Sequence, residues 1–557
     1  MKMKKKCFFV ILILASVWVS NLKAAGNKNL LPRPKLVVGI VIDQMRVDYL
    51  YRYYDRYGKD GFRRMLTHGA VCENNMMVHL PSYTAVGHSM LYTGTTPSIN
   101  GIAGNNFVDQ KTGRDLYCTA DSLVKGVGSS SSAGCMSPRN LLASTITDEL
   151  RLATNFRAKV ISVSLKDRAS ILPGGHCPTG AYWFDASNAS FITSTYYRAT
   201  LPDWLVKFNN ENHVRKLLTG MWNTLYPIET YVQSTVDDSP YERPYLIGQR
   251  PVFPYSLDSL FVHKGAEIIK SLPAGNTLTT EVGIAALKGE RLGCGDQTDF
   301  LAISYSSPDY IGHQFGPNAI ETEDSYLRLD QDLAHLFAAL DHQVGKGNYL
   351  VFLTADHGGA NNLDFLKDHG FRVNNFDVRA IEKALKEGVK AKFGVDGLLR
   401  GISNYSVNIN YEKVKENKVD LAALKDEVVA LAEQQDGMAY AVDMQQIMTV
   451  PLPAVIREKA VNGYNRAHSG EVLLIPQPGW YETFGNAPVT GTTHGTWHPY
   501  DSHIPLLFMG WGIQPGHLYR EVHAVDLAAT LAALLHIQMP NGCIGVPIPE
   551  VISTKMK

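Results

Sequence analysis

Six residues of the kinds that hold divalent cations stand in short, compact contexts along the chain. They are Asp43 in VIDQMR, Asp309 and His313 in SSPDYIGHQFG, Asp356 and His357 in TADHGG, and His494 in GTTHG. Zinc takes imidazole nitrogens and carboxylate oxygens, and a chain without a CxxC pair must build a zinc site from those ligand types. Each element alone is explained as well by a helix cap or a surface ion pair. Together they supply six ligands, about the number two zinc ions require. A second run, PSYTAVGHSMLYTG (81–94), places the Thr84 hydroxyl where a helix begins. There the free N–H groups and the helix dipole favour negative charge. By itself Thr84 reads as an N-cap; beside metal ions, a hydroxyl can be ionised and become a nucleophile. A third group is Lys166-Asp167-Arg168, which reads either as an anion site or as a surface ion-pair run.

The elements that must position these residues are four apolar runs that stop abruptly in polar residues. LVVGIVID (36–43), AKVISVSLKDR (158–168), FLAISYSSPD (300–309) and YLVFLTADHGG (349–359) read as buried parallel strands. Ligands of open α/β sheets bind beyond the carboxyl ends of the strands. The four ends therefore bring Asp43, Lys166 and Arg168, Asp309, and Asp356 to one edge. Residues 324–344 put Tyr326, Leu329, Leu333, Leu336, Phe337 and Leu340 on one helical face, and 525–536 reads as a buried helix. Two long intervals, about 185–295 and 360–485, read as insertions or a cap over the strand-end edge. The second contains charged helical stretches at 378–398 and 412–435.

Composition sets the class. Of 557 residues, 45% are apolar and 19% charged, which describes a folded globular protein. Mean hydropathy of −0.11 excludes a polytopic membrane protein. The 53 basic and 53 acidic residues cancel, so no global field favours nucleic acid or anionic membrane. The basic start MKMKKK, the apolar run 7–19 and Ala24-Ala25-Gly26 have the layout of a secretory signal peptide, expected over residues 1–25. Cys7 precedes the apolar run, where a lipidated cysteine would not stand. Removing the signal leaves an exported mature chain, 26–557, with a net charge of −5 and no membrane span. Its six cysteines permit disulfides or buried thiols equally.

Taken together, these motifs resemble those of the alkaline phosphatase superfamily, and within it the exported type I phosphodiesterase/nucleotide pyrophosphatase-like group. The nearest resemblance is to its Thr-nucleophile, phosphate-irrepressible alkaline phosphatases. VIDQMR, PSYTAVGH with TG, GIAGN (101–105), SLKDRA (164–169), SSPDYIGHQFG, TADHGG and GTTHG run in family order across about 36–540. The resemblance implies an α/β alkaline-phosphatase-like core with a mainly parallel central sheet flanked by helices, plus cap insertions. It implies Thr84 as nucleophile, with His88 and Thr93-Gly94 at the family spacing. Two zinc ions per chain are implied: one held by Asp309, His313 and His494, the other by Asp43, Asp356 and His357 beside Thr84. Asn105, Lys166 and Arg168 would bind phosphoryl oxygens.

The implied activity is a periplasmic or otherwise exported alkaline phosphatase that acts on small phosphate monoesters through a phosphothreonine, with no specific nucleic-acid partner. Two cations aimed at non-bridging oxygens favour a dianionic monoester over a monoanionic diester. The alternatives are a phosphodiesterase or nucleotide pyrophosphatase of the same superfamily, a catalytically inactive exported binding protein and, less favoured, a manganese-dependent mutase. Cys135-Met-Ser-Pro-Arg139 resembles a sulfatase signature. Its Pro is one place late and it lies away from the nucleophile position, so it reads as a loop.

Overall fold

The computed structural model describes residues 31–483 and 489–552; the expected signal segment lies outside them. Five parallel strands form the centre of a ten-stranded sheet. Their order is Tyr349–Thr354, Leu36–Ile42, Asp299–Tyr305, Val160–Ser164, Gly180–Asp185. Every residue in them is buried, which is why they read as continuous apolar runs and not as alternations. Ile42 pairs with Tyr305, Val41 with Thr354 and Ser304 with Ser164, so the strands finish nearly level. The residues that follow them are therefore delivered to one edge.

Antiparallel strands flank this centre. Leu506–Gly510 pairs with Tyr349–Thr354 and with Gly69–Met76, while Ser190–Ser194 and Gly126–Val127 extend the other side. Gly516–His523 closes the first side in parallel with Gly69–Met76. Helices cover the sheet. The stripe expected at 324–344 lies in Ile320–Gln343, with all six of its apolar members buried. The apolar helix Asp526–Leu535 is buried along nearly its whole length. The fold is thus a mixed α/β core with a mostly parallel central sheet flanked by helices.

The interval from 185 begins with Ser190–Ser194, which still belongs to the main sheet, and continues into helices Asp203–Asn210, Leu257–Lys264 and Pro273–Gly289. Within 360–485, helices Val378–Phe393 and Leu421–Glu433 accompany a separate four-stranded antiparallel sheet. Leu385, Val407, Leu424 and Val428 belong to its own apolar core. The six described cysteines are free thiols. Among the described residues no helix is long and apolar enough to cross a membrane.

Candidate active site

Asp43 follows Leu36–Ile42 directly, and its amide N–H donates to the Tyr305 carbonyl, extending the strand pairing by one step. Asp356 and His357 follow Tyr349–Thr354 after one alanine. On the third strand, Asp299–Tyr305, the chain turns at once into helix Ser307–Phe315. Asp309 in its first turn and His313 in its last share a helical face, with His313 Nε2 3.1 Å from Asp309 Oδ1. His494 arrives on a loop, its ring stacked 3.5 Å from that of His357.

These groups form two sets of converging donors: Asp43, Asp356 and His357, and Asp309, His357 and His494. Within each set all ligand atoms lie within 4.8 Å of one another. His357 belongs to both, so the two sets adjoin. His313, expected beside Asp309, reaches that carboxylate without joining the tighter set. Asp43 Oδ1, Asp356 Oδ2 and His357 Nε2 are buried and have no hydrogen-bond partner. Buried polar atoms are rarely left so, and three that converge on one point fit a cation.

His313 Nδ1 faces Thr492 O (2.8 Å), His357 Nδ1 faces Gly358 O (2.8 Å) and His494 Nδ1 faces Ser82 O (2.6 Å). Each contact places a proton on Nδ1; at His357 and His494 it presents the Nε2 lone pair to the site, whereas at His313 the Asp309 carboxylate beside Nε2 outweighs burial and raises the imidazole's value. Burial, and for His494 also the neighbouring His357, holds the His357 and His494 values down. Burial and the Asp356 charge raise Asp43 well above the ordinary carboxylate range. At Asp309 burial is outweighed by His313 and Lys166, which hold that carboxyl well below it. Four buried groups thus compete for positive charge in one place.

Thr84 opens the fully buried helix Thr84–Thr93. Its Oγ1 lies 3.5 Å from Lys166 Nζ. Lys166 stands just beyond Val160–Ser164, and its ammonium bridges the two donor sets, 2.6 Å from Asp43 Oδ2 and 2.6 Å from Asp309 Oδ2. Asn105 Oδ1 accepts from Ala85 N–H (2.9 Å), which ties Asn105 to the first turn of the Thr84 helix. Arg168 Nη1 donates to the Tyr117 hydroxyl (3.2 Å), which itself donates to Asp167 (2.7 Å). His88 faces back: Nδ1 is 2.9 Å from Thr84 O and 3.2 Å from Asp356 Oδ2, and Nε2 is 2.8 Å from Ser304 Oγ. The helix approaches the Asp356 segment so closely that a Cβ at Gly87 would lie 2.0 Å from Asp356 O.

All ten expected site residues therefore lie around one edge. Gln44 was not singled out in the sequence. Its backbone N–H reaches Asp356 Oδ1 (3.2 Å), and its side-chain amide donates to Asp309 Oδ1 (2.7 Å), so it touches both donor sets. It adopts φ 62°, a conformation uncommon outside glycine. Its only sequence signal is its place directly after Asp43. Tyr117 likewise gives no local sign of holding Arg168. Cys135–Arg139 is largely irregular chain, with Arg139 3.3 Å from Asp121.

Comparison with known proteins gives one family model and several long relatives. The model for type I phosphodiesterase/nucleotide pyrophosphatase matches residues 37–501. A protein named calcium-transporting ATPase from Myroides odoratus is 49% identical, covering 98% of this chain and 97% of its own. Alkaline phosphatase PhoV of Synechococcus elongatus is 47% identical, covering 99% and 100%. The crystal structure of wild-type alkaline phosphatase PafA superposes with a TM-score of 0.91 at 46% identity, covering 94% of this chain and 100% of that one.

Proposed function

The chain belongs to the type I phosphodiesterase/nucleotide pyrophosphatase family, and within it we propose that the protein is an exported, zinc-dependent alkaline phosphatase acting through Thr84. It hydrolyses phosphate monoesters by way of a covalent phosphothreonine. The observation that carries this reading is the pair of adjoining donor sets bridged by the Lys166 ammonium, which also lies 3.5 Å from the Thr84 hydroxyl oxygen. The near full-length likeness to two proteins named alkaline phosphatase supports it. Export rests on the signal-like pattern of residues 1–25.

Asp309, His313 and His494 would hold one zinc, and Asp43, Asp356 and His357 would hold the other. Zinc, when bound, lowers the pKa of a hydroxyl or water and stabilises developing negative charge on oxygen. Thr84 Oγ1 loses its proton and attacks phosphorus in line; the bond from phosphorus to the ester oxygen breaks and the alcohol departs. Water then attacks the phosphothreonine, returns Thr84 and releases phosphate. Asn105 Oδ1 accepts from Ala85 N–H, so Nδ2 is the donor it would offer a phosphoryl oxygen. Lys166, Arg168 and the helix N-terminus stabilise the remaining equatorial oxygens, over which charge is spread in the transition state.

Charge sets the substrate class. A monoester carries two negative charges and a diester one, so two aimed cations reward the monoester more. The terminal phosphoryl group of a nucleoside triphosphate also ends in a dianion, so ATP hydrolysis by a relative needs no different site. The test is phosphate release by the zinc-loaded protein from an aryl monoester and from its methyl diester. Monoester turnover well above diester turnover is expected; the reverse order overturns the assignment.

A further inference from the structure

Among the side chains outside the site, Asp501 has contacts that reach furthest into it. It is fully buried in the short turn Pro499–Ser502. Its Oδ2 accepts three hydrogen bonds: from Gly495 N–H (3.1 Å), Thr496 N–H (2.8 Å) and the Thr496 hydroxyl (2.7 Å). Those residues directly follow His494. The Asp501 carbonyl accepts from Gly358 N–H (2.8 Å), the residue after His357. The same loop is clipped to the approach of Thr84, where Ser82 Oγ donates to Thr496 O (2.9 Å) and Gly495 N–H reaches Ser82 Oγ (3.1 Å). The loops are also tightly packed, since a Cβ on Gly358 would lie 2.2 Å from Tyr500 O.

We propose that Asp501 is a positioning residue whose carboxylate fastens the His494 loop to the short turn that carries it, while the backbone carbonyl of the same residue holds the His357 loop, so that metal affinity at the donor set containing His494 depends on that carboxylate. The inference rests on the metal-binding reading above. Asp501 touches neither ligand ring. It acts through Gly495, Thr496 and Gly358, whose backbone fixes where the two rings stand. Imidazoles must be aimed closely at the metal, and a loop ordered only by the metal subtracts its ordering entropy from the binding energy. The Gly358 bond goes to the backbone carbonyl and survives loss of the carboxylate, so the His494 loop is the one that loosens.

The test compares the full chain with its Asp501→Ala, Asp501→Asn and Thr496→Val variants. Zinc affinity is read by chelator competition, and cobalt titration in the visible range separates the two sites. Kinetic constants at saturating zinc and the Tm of metal-free protein are measured alongside. Asp501→Ala should weaken binding at the site that holds His494 by about 10- to 100-fold, the usual cost of losing such outer support, and should weaken the other site less. Added zinc should restore kcat while KM stays nearly constant. Asp501→Asn keeps an acceptor oxygen and should lose less. Thr496→Val removes one donor of three, keeps the metal-free Tm and should be intermediate; it carries the test if the alanine variant does not fold. Affinities within about twofold of the parent, or a loss that spares the site holding His494, overturn the proposal. A parent chain that binds neither zinc nor cobalt overturns the metal reading itself, and this inference with it.

Discussion

At the scale of single residues, function turns on where positive charge is placed. Lys166 bridges Asp43 and Asp309 at 2.6 Å each, whereas Arg168 leans on Tyr117 and Asp167 and touches neither donor set. The two cations should therefore fail differently. Arg168→Ala should lower monoester kcat/KM by about 10²-fold, the scale of one lost transition-state donor, and diester hydrolysis less. Equal losses on both substrates would contradict the charge argument. Lys166→Ala should lower activity and also change metal affinity, because it removes the ammonium shared by Asp43 and Asp309. Thr84→Ala should abolish phosphoenzyme trapped in acid, and Thr84→Ser should retain it. The convergence of the acid and histidine candidates was legible in the sequence because Asp43 directly follows a strand end, Asp356 follows another after one alanine and Asp309 lies in the first turn of the helix after a third. Gln44 and Asp501 were not, since they act on partners such as Asp309 and Gly358, far away in the chain and visible only once it is folded.

At the scale of elements, two helices do more than the pattern indicated. Ile320–Gln343 was legible as an apolar stripe, yet it also buries Glu321, Glu323, Asp324, Asp330 and Asp332. These acids anchor the surrounding loops: Asp324 takes Trp222, Tyr231 and Leu225, and Asp330 takes the backbone of Gly58 and Phe62. Local periodicity cannot disclose such partners, because they come from other segments. Asp332 meets only Thr277 at close range, and burial pushes its carboxyl up to about 7. The folded state holds that proton where the unfolded chain releases it near pH 4, so stability from this group is full below about pH 4 and is lost as pH rises towards 7. Asp332→Asn should therefore raise Tm more at pH 8 than at pH 5, measured by thermal melts across that range. In the Thr84 helix, Gly87→Ala would force its methyl to within 2.0 Å of Asp356 O. Overpacking of this kind costs about 1–3 kcal/mol. A fall in Tm together with a fall in kcat is expected, since the displaced backbone carries a ligand.

At the scale of the whole molecule, the central parallel strands and their common edge were legible from four apolar runs. The antiparallel flanks and the second sheet within 360–485 were not, because short strands such as Ser406–Ile409 look like loop until their neighbours are known. The site gathers Asp43, Asp309, Asp356 and Lys166 in a buried space, where bound cations would offset the surplus of carboxylates. Chelation should therefore lower Tm, and zinc in about hundredfold excess over its dissociation constant should return about 2.7 kcal/mol by mass action. A melt unchanged by chelator and zinc would contradict the linkage.

The strand Leu506–Gly510 lies between Tyr349–Thr354 and Gly69–Met76 in the middle of the sheet's first side. The order of synthesis gives this placement a consequence. An early segment, 69–76, reaches the sheet centre only through a late one, and His494 emerges just before that late strand. Until some nine-tenths of the polypeptide has left the ribosome, the sheet cannot close on its first side. A chain truncated before residue 506 would leave 69–76 with no strand to join it to Tyr349–Thr354.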